Sequence, residues 1–395
     1  MNKLLLLTGL TISALLPNAR SGDWPHWRGA ERNGHSSESS GYQAEGEWFP
    51  SKPAWKFEAG EGSTSPVVIE GKAYVMGWKD KRDRLVCLDL ESGKLLWEQS
   101  YDTPRHGRFA AGDQGRYGGP TATPEYDAGT GLLFTLGSDG ELRAWDLTAK
   151  GELAWRKNLY DEYNVKQRPK TGGGLRDYGY TTAPLLIGDT LVIEVGAESG
   201  TVMGFSAKTG EERWRSRHSG FAGHTGGPVP MEVEGIPAIA VLTLRELLVL
   251  RTDRGREGET IATHPWVSDW ANNILTPTVQ GNEVLISSYH THRSIRKVAV
   301  SMGKTKKVWE ELFASHVGSP VVSDGRIYFA GRRLYCLDFE SGKLQWEGGS
   351  SETERPSFIL PMEGSSPSVA IVLSRWWSRQ RILRTSTASS PVSPA

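Results

Sequence analysis

The sequence predicts an all-β chain folded as a β-propeller of about seven four-stranded blades, with eight as the alternative and an incomplete or degenerate last blade. Two observations predict this fold. A short segment with a Ser-Gly turn and a closing Trp recurs along the chain, and a small residue followed by Pro opens a β-rich run before each copy. A repeat of about 45 residues is typical of one propeller blade.

Two segments define the repeat. LVCLDLESGKLLWE contains Cys87, and LYCLDFESGKLQWE contains Cys336 at the same position. Since equivalent positions of a ring are held apart, we expect both cysteines to be buried free thiols and not a disulfide. The closing Trp recurs in weaker copies, and its fixed place indicates packing between blades. The members of this set are Trp97, Trp155, Trp214, Trp309 and Trp346.

The blade openings recur every 43 to 64 residues. They are Ser65-Pro66, Gly119-Pro120, Ala183-Pro184, Gly227-Pro228, Thr276-Pro277, Ser319-Pro320 and Ser366-Pro367. Small sheets of this kind must stack on neighbours to bury both faces, and a ring removes most exposed edges. The segment 53–59 has the sequence of a last strand, so we predict that it closes the ring by pairing with the chain after Pro367.

The two ends of the chain differ from the repeats. Lys3, an apolar run over 4–16 and a small-x-small site at 19–21 predict a signal peptide over 1–21. An N-terminal segment over 22–52 and a propeller over 53–363 follow. Residues 364–395 lose the turn and the closing Trp, which predicts a degenerate last blade with a disordered tail. We therefore expect a periplasmic or secreted monomer without a membrane span in the mature chain.

The charge balance bears on the kind of partner. Lys plus Arg number 46 and Asp plus Glu number 46, and the basic residues are scattered singly. No basic stripe is present that could neutralise a phosphate backbone, so we do not expect nucleic acid as a partner.

The recurring pattern L-D-x-x-[ST]-G-K-x-x-W, with S-P-V-V openings, resembles the pyrroloquinoline-quinone (PQQ) type of propeller repeat over about residues 55–350. The opening DWPHWRGAERNG, with Trp24, Trp27, Arg28 and Gly29, is similar to the W-P-x-W-R-G element of exported PQQ-like propellers. The resemblance implies two alternative functions. One is a non-catalytic scaffold of the cell envelope, as in the outer-membrane-protein assembly propeller, and the other is a PQQ-dependent oxidoreductase of the alcohol dehydrogenase type.

Residues just before the first strand of each blade should converge at one mouth of the central channel. The residue that lies four places before the opening Pro is, in the first six openings, Gly62, Arg116, Tyr180, His224, Asn273 and His316. Their neighbours Tyr117, Tyr178 and Asn272 extend the rim, and the insertion 160–177 could cover it as a lid. We expect a protein or small-molecule ligand at this mouth. The alternative is that these groups only satisfy strand ends.

The cofactor and metal signals are weak. His290 and His292 are two apart and could face one ion, but no third ligand is placed. The resemblance implies that a PQQ enzyme would use a stacking Trp, a calcium ion held by acidic and amide groups, a catalytic Asp and, in many members, adjacent cysteines. We recognise no such set, so we expect no cofactor, with PQQ and Ca²⁺ as the alternative. A carbohydrate-active enzyme would need two carboxylates in the mouth, and none of the six residues there is acidic.

Overall fold

The computed structural model describes residues 22–38, 53–104, 118–169, 177–224, 226–268, 273–289, 291–315 and 317–348, with short strands in 357–361 and 371–372. The predicted signal peptide lies outside these ranges. The described residues contain one helix, α1 (Leu159–Tyr163), which Asn158 caps by accepting hydrogen bonds from two backbone N–H groups of its first turn. Across the described ranges, no helix has the length and apolar character that crossing a bilayer requires.

Six antiparallel four-stranded sheets follow one another along the chain, each ordered from first to fourth strand. The strands are β1 (His35–Ser36) in the N-terminal segment; β2–β5 of blade 1 (Val67–Ile69, Lys72–Lys79, Arg82–Asp89, Leu95–Asp102); β6–β9 of blade 2 (Glu125–Asp127, Leu132–Leu136, Glu141–Asp146, Glu152–Asn158); β10–β13 of blade 3 (Leu185–Ile187, Thr190–Ala197, Gly200–Ser206, Glu212–Arg215); β14–β17 of blade 4 (Val229–Val233, Ile236–Leu242, Glu246–Arg251, Thr260–Pro265); β18–β21 of blade 5 (Thr278–Gln280, Glu283–Ser288, Ser294–Ser301, Lys304–Glu311); β22–β25 of blade 6 (Val321–Ser323, Arg326–Ala330, Leu334–Asp338, Leu344–Gly348); and β26 (Ser357–Phe358), β27 (Leu360–Pro361) and β28 (Ile371–Val372).

Five of the first six predicted Pro openings directly precede a first strand, and the all-β propeller fold is confirmed. In blade 2 the predicted opening Gly119-Pro120 is four residues early, because the first strand starts at Glu125, directly after Pro124. In blade 1, Cys87 lies opposite Trp97, and the register shifts by one residue immediately after this pair. The same shift follows the Trp in blades 2, 3, 5 and 6, and it is a β-bulge.

The closing Trp of one blade covers the third-to-fourth-strand turn of the next. A Cβ added to Gly151 would lie 2.6 Å from the Trp97 ring, and one added to Gly210 would lie 2.7 Å from the Trp155 ring. Trp214 lies against Gly258 and Trp309 against Gly342 in the same way. Trp346, in blade 6, is 37% exposed instead.

The seventh unit differs from the prediction. β26 pairs antiparallel with β28, so the strand that contains Ile371 is the second of a hairpin and Ser366-Pro367 does not open a blade. Ile371 and Val372 pair with Phe358 and Ser357. The rest of the chain after Pro367 lies outside the described residues, so its predicted pairing with 53–59 stays a prediction. The opening was misplaced because the repeat is weakest here. Cys87 and Cys336 are buried free thiols, as expected.

Candidate functional site

One end of the ring, here called the entrance face, carries the loops that join successive blades and the loops between second and third strands. Short backbone hydrogen bonds tie the blade openings to each other at this end. Ser63 N–H donates to the Pro120 carbonyl at 2.8 Å, and Ala183 N–H donates to the Gly226 carbonyl at 3.0 Å. The segments before the first strands of these neighbouring blades are therefore in contact at this end of the ring.

Two of the predicted rim residues have structural partners. Tyr180 is buried, donates its hydroxyl to the Val195 carbonyl at 2.7 Å and stacks on Tyr160 with ring centroids 4.8 Å apart. Asn273 is also buried, and its Nδ2 atom donates to three carbonyl oxygens within 2.8–3.0 Å, those of Thr243, Leu244 and Trp266. Both side chains fix loops on the entrance side, as buried polar groups commonly do.

His224 lies next to Asn273. Its backbone N–H donates to the Asn273 carbonyl at 3.3 Å, and its ring meets the Tyr178 ring edge-on at 5.3 Å. The half-buried Tyr178 is thus part of the rim with His224. Gly62 lies against the opening of blade 2, since a Cβ added to it would be 2.7 Å from the Pro120 carbonyl oxygen. Four other predicted rim residues lie outside the described residues, and they are Arg116, Tyr117, Asn272 and His316.

A buried charged cluster lies beneath this part of the rim, between blades 3 and 4. Arg168, from the insertion, donates to one Asp177 carboxyl oxygen at 2.8 Å and to the Ala222 and Gly223 carbonyls at 2.8 and 3.1 Å. The insertion therefore packs against the loop that ends at His224. Its residues 170–176 lie outside the described part, so the predicted lid remains a prediction.

Glu194 completes this cluster from the second strand of blade 3. One of its carboxyl oxygens accepts the Gly223 N–H at 2.7 Å, whereas the other is buried without a hydrogen-bond partner. Burial raises the pKa of Glu194 to about 7, against the smaller lowering effects of the Gly223 N–H and Arg168. The carboxyl group that positions the His224 loop therefore changes charge near neutral pH.

The N-terminal segment 22–38 occupies the axis of the ring. Trp24 and Val68 exchange two backbone hydrogen bonds of 2.8 and 3.0 Å, which joins the segment to the first strand of blade 1. Trp27 donates its indole N–H to Thr276 Oγ1 at 2.9 Å, at the opening of blade 5. Further along, His35 Nε2 lies 2.9 Å from the Val322 carbonyl oxygen of blade 6.

Arg28 joins two blades from this axial position. Its guanidinium donates to Thr278 Oγ1 at 3.2 Å and to the Pro320 carbonyl at 2.6 Å, in blades 5 and 6. Burial lowers the pKa of Arg28 to about 10, so the group stays charged at neutral pH. Polar acceptors from two blades and from the segment's own Asn33 carbonyl compensate for the desolvation of this cation.

Glu125 anchors the same segment to blade 2. It is fully buried and accepts hydrogen bonds from both Arg32 terminal nitrogens, and His26 Nδ1 lies 3.1 Å from its second oxygen. Burial alone would raise the pKa of this carboxyl group, but attraction by Arg32 and His26 lowers it to about 2. One Glu125 oxygen also accepts the Leu186 N–H at 2.8 Å, which extends the contact to blade 3.

Sequence reasoning missed both buried carboxylates, although each left a signal. Strand pairing aligns Glu125 with Val67 and Leu185 in other first strands, and it aligns Glu194 with Met76 and Leu136 in other second strands. Blade 5 has Thr278 and Ser287 at these two positions, so no other described blade has a charged residue there. A buried carboxylate needs a compensating partner. That partner is remote in sequence, which is why spacing alone could not identify it.

The weak metal candidate has other contacts. His292 stacks on Trp266 with centroids 3.8 Å apart, and its Nε2 atom lies 2.8 Å from the Val267 carbonyl oxygen. His290 lies outside the described residues. Among the residues that the structure describes, no group of three or more His, Cys, Asp or Glu side chains could hold a metal ion.

The entrance face also exposes apolar side chains. Leu312, which follows the fourth strand of blade 5, is 83% exposed, and Val267, which follows the fourth strand of blade 4, is 53% exposed. These are the two most exposed large apolar side chains within the described ranges. Both belong to loops that join one blade to the next.

Fold and axial contacts together define a β-propeller whose channel is occupied by its own N-terminal segment. The chain belongs to the PQQ-like propeller family whose model is described as "Outer membrane protein assembly factor BamB", with matches over residues 50–169 and 119–348. No curated protein sequence matches this chain.

The chain is similar to solved structures, and the first of those that follow supports the propeller fold. BamB from Moraxella catarrhalis is 12% identical over 81% of this chain and 86% of its own length, with a TM-score of 0.51. A europium-containing methanol dehydrogenase is 13% identical over 89% of each chain, with a TM-score of 0.44. A quinohemoprotein alcohol dehydrogenase from Pseudomonas putida is 13% identical over 81% of this chain and 70% of its own length, with a TM-score of 0.43.

The described axial residues do not fit a quinone with its metal ion. The axial carboxylate Glu125 is already held by Arg32, His26 and the Leu186 N–H, which leaves it no free charge for a cation. Arg28, a second axial charge, is a cation.

Proposed function

We propose that this protein is a non-catalytic scaffold of the cell envelope that binds a protein partner through the loops of its entrance face, in the assembly of outer-membrane proteins. Membership of the BamB family supports the compartment and the process. The exposure of Leu312 and Val267 is the observation that carries the choice of surface. Exposed apolar side chains on connecting loops favour protein contact, because burying them removes apolar area from water.

The axial segment supports the same proposal. Trp27, Arg28 and Glu125 use the inner strands to hold the chain's own N-terminal segment, so the loops around the entrance remain as the surface that a partner meets. The rim pair Tyr178 and His224 lies on this face and is included in the proposed contact surface.

Complementation tests the proposal. In the native host, deletion of the gene should lower the amount of folded β-barrel proteins in the outer membrane, and the wild-type chain should restore it. The double variant Val267→Asp and Leu312→Asp should express at the wild-type level but fail to restore those proteins. Met302→Asp is the matched control, because Met302 is 39% exposed on the hairpin turn at the opposite end of the ring.

Two results would contradict the proposal. One is full complementation by the double Asp variant. The other is a chromophore that remains bound when the purified protein is mixed with PQQ and Ca²⁺, together with alcohol oxidation, since this would favour the oxidoreductase alternative. A circular dichroism melt of each variant shows whether loss of function reflects loss of fold.

A further inference from the structure

The insertion between blades 2 and 3 meets the rim at a junction that has a buried acid beneath it. The described parts of the insertion at this junction are 165–168 and 177–180, here called the stem. The stem packs on loop 221–224, which lies between blades 3 and 4. Tyr178 belongs to the stem and His224 to the loop, so the edge-on contact of their rings, at 5.3 Å, crosses the junction.

Arg168 holds the two sides of the junction together. Within the stem it donates to the Asp177 carboxylate at 2.8 Å and to the Gly179 carbonyl at 2.9 Å. Across the junction its Nε atom donates to the Ala222 carbonyl at 2.8 Å, and a terminal nitrogen donates to the Gly223 carbonyl at 3.1 Å. The docking of the stem on the loop therefore depends on one buried guanidinium.

Glu194 contacts the same peptide group from the other side. The peptide that joins Ala222 to Gly223 accepts from Arg168 at its carbonyl, and its N–H donates to one Glu194 oxygen at 2.7 Å. The second Glu194 oxygen is buried and has no hydrogen-bond partner among the described residues. Since Glu194 is only 1% exposed, a negative charge on this carboxyl group is costly as long as the loop covers it.

The charges around the junction do not compensate for an ionised Glu194. Arg168 lowers the pKa of Glu194, but it is already paired with Asp177. Desolvation outweighs this attraction and raises the pKa of Glu194 to about 7. The other titratable side chains near the junction form two close pairs, with one histidine and two tyrosines besides. They are Lys166 with Glu198, His218 with Glu246, His224, Tyr178 and Tyr180.

The junction also has room for water. A crevice of about 10 Å³ lies between the stem and the loop, bordered by Val165, Arg168 and Ala222. Such a volume accommodates about one water molecule. Gly196, from the strand that carries Glu194, borders the same crevice, and a Cβ added to it would lie 2.6 Å from the Ala222 N atom. Solvent can therefore enter where the stem and the loop meet this strand.

We propose that Glu194 is a pH switch of the rim: its neutral form keeps the stem docked on loop 221–224, and its ionised form favours their separation. Separation hydrates the carboxylate and moves His224 away from Tyr178. The docked state binds the Glu194 proton more tightly than a hydrated carboxyl group, whose pKa is 4.5, so docking weakens as pH rises from about 4.5 to about 7. This switch is independent of the proposed function, because it concerns the shape of the rim and not its partner.

Hydrogen exchange of the full chain at pH 5 and pH 8 tests the switch. The protection factors of the Arg168, Gly179 and Gly223 amides, which are corrected for the intrinsic effect of pH on exchange, should be about tenfold or more lower at pH 8. In Glu194→Gln they should be equal at both pH values, because the Gln side chain still accepts the Gly223 N–H but does not titrate. Glu211→Gln, at an exposed turn of the same blade, is the matched control and should behave like wild type.

The amides of Leu334–Asp338, the third strand of blade 6, are the reference for unfolding of the whole ring. They should be more protected than the junction amides at both pH values, because the junction opens without them. His224→Gln should keep the wild-type fall in protection, since the switch depends on Glu194.

Three outcomes would overturn the proposal. One is equal protection of the junction amides at pH 5 and pH 8 in the wild type. A second is junction amides that are as strongly protected as the reference amides, which would mean that they open only with the whole protein. A third is a fall in protection that persists in Glu194→Gln or disappears in His224→Gln, which would assign the titration to another group.

Discussion

Two buried carboxylates show how neighbours decide the state of the same chemical group. Glu125 is held by Arg32 and His26, and its pKa is lowered to about 2. Glu194 has one backbone donor and a more distant Arg168, and burial raises its pKa to about 7. The first is a permanent ionic anchor for the axial segment, whereas the second is sensitive to pH.

The Glu194→Gln variant tests this assignment at the residue scale. The folded protein binds the Glu194 proton more tightly than the unfolded chain, whose carboxyl group has a pKa of 4.5, so the contribution of Glu194 to stability falls as pH rises from about 4.5 to about 7. A Gln side chain still accepts the Gly223 N–H but carries no charge. The free energy of unfolding of the variant relative to wild type should increase by on the order of 2 kcal/mol between pH 5 and pH 8.

Urea denaturation at several pH values gives this difference directly. Glu91→Gln, at an exposed turn of blade 1, is the control and should leave the pH dependence of the wild type unchanged. A pH-independent difference for Glu194→Gln would mean that Glu194 is not protonated in the folded protein near neutral pH.

At the scale of elements, the contact between a closing Trp and the next blade's turn is the repeated unit of packing. Blade 4 departs from it, because Ala262 stands opposite Val249 where a Trp is expected, and Gly303 of blade 5 has no atom within 4 Å of an added Cβ. Polar contacts replace the ring there, since Thr305 donates its hydroxyl to the Thr263 carbonyl at 3.0 Å. Blades 4 and 5 therefore stack without a Trp, and a hydrogen bond takes the place of the contact between ring and turn.

The substitution Gly210→Ala tests the Trp contact. Gly210 has φ +72°, and its added Cβ would meet the Trp155 ring at 2.7 Å. Gly235→Ala is the matched control, because Gly235 has φ +79° with nothing within 4 Å. Both should lose about 1 kcal/mol for the left-handed backbone, and Gly210→Ala should lose a further 1–3 kcal/mol, about what overpacking costs.

The measured quantity is the difference in the free energy of unfolding between the two variants. It is calculated from the denaturant midpoints, provided that the dependence on denaturant concentration (the m value) is the same for both. Equal destabilisation by both substitutions would show that Trp155 does not pack on that turn.

Most blade starts were predictable from sequence because an opening Pro and a Ser-Gly turn act locally. Blade 2 is the exception among the first six, since its first strand follows Pro124 and not Pro120. The start of the seventh unit was not, since Ser366-Pro367 looks like an opening but lies before the second strand that contains Ile371. Among the predicted rim residues, the structure brings His224 and Asn273 together, but it uses Tyr180 and Asn273 to hold loops. The repeat predicts which residues lie at the rim. It does not predict the hydrogen-bond partners of their side chains, because these partners lie in loops that differ from blade to blade.

At the scale of the whole molecule, the axial segment joins blades that are far apart in the chain. Trp24 bonds to blade 1, Arg32 to blade 2, and Arg28 to blades 5 and 6. The sequence marked W-P-x-W-R-G as a motif but could not place it, because its contacts span up to 292 residues along the chain. These contacts across the axis hold the first strands of blades 1, 2, 5 and 6 to one common segment.

Disulfide trapping measures this axial placement most directly. Trp24 and Val68 exchange both backbone hydrogen bonds, and the Cα atoms of such a pair lie about 5.5 Å apart, within disulfide range. In a Cys87→Ala and Cys336→Ala background, the Trp24→Cys and Val68→Cys pair should oxidise to an intramolecular disulfide. Trp24→Cys with Val322→Cys, the equivalent position of blade 6, should remain reduced. Free thiols in the first pair, or equal oxidation of both pairs, would contradict a ring closed by its own N-terminal segment.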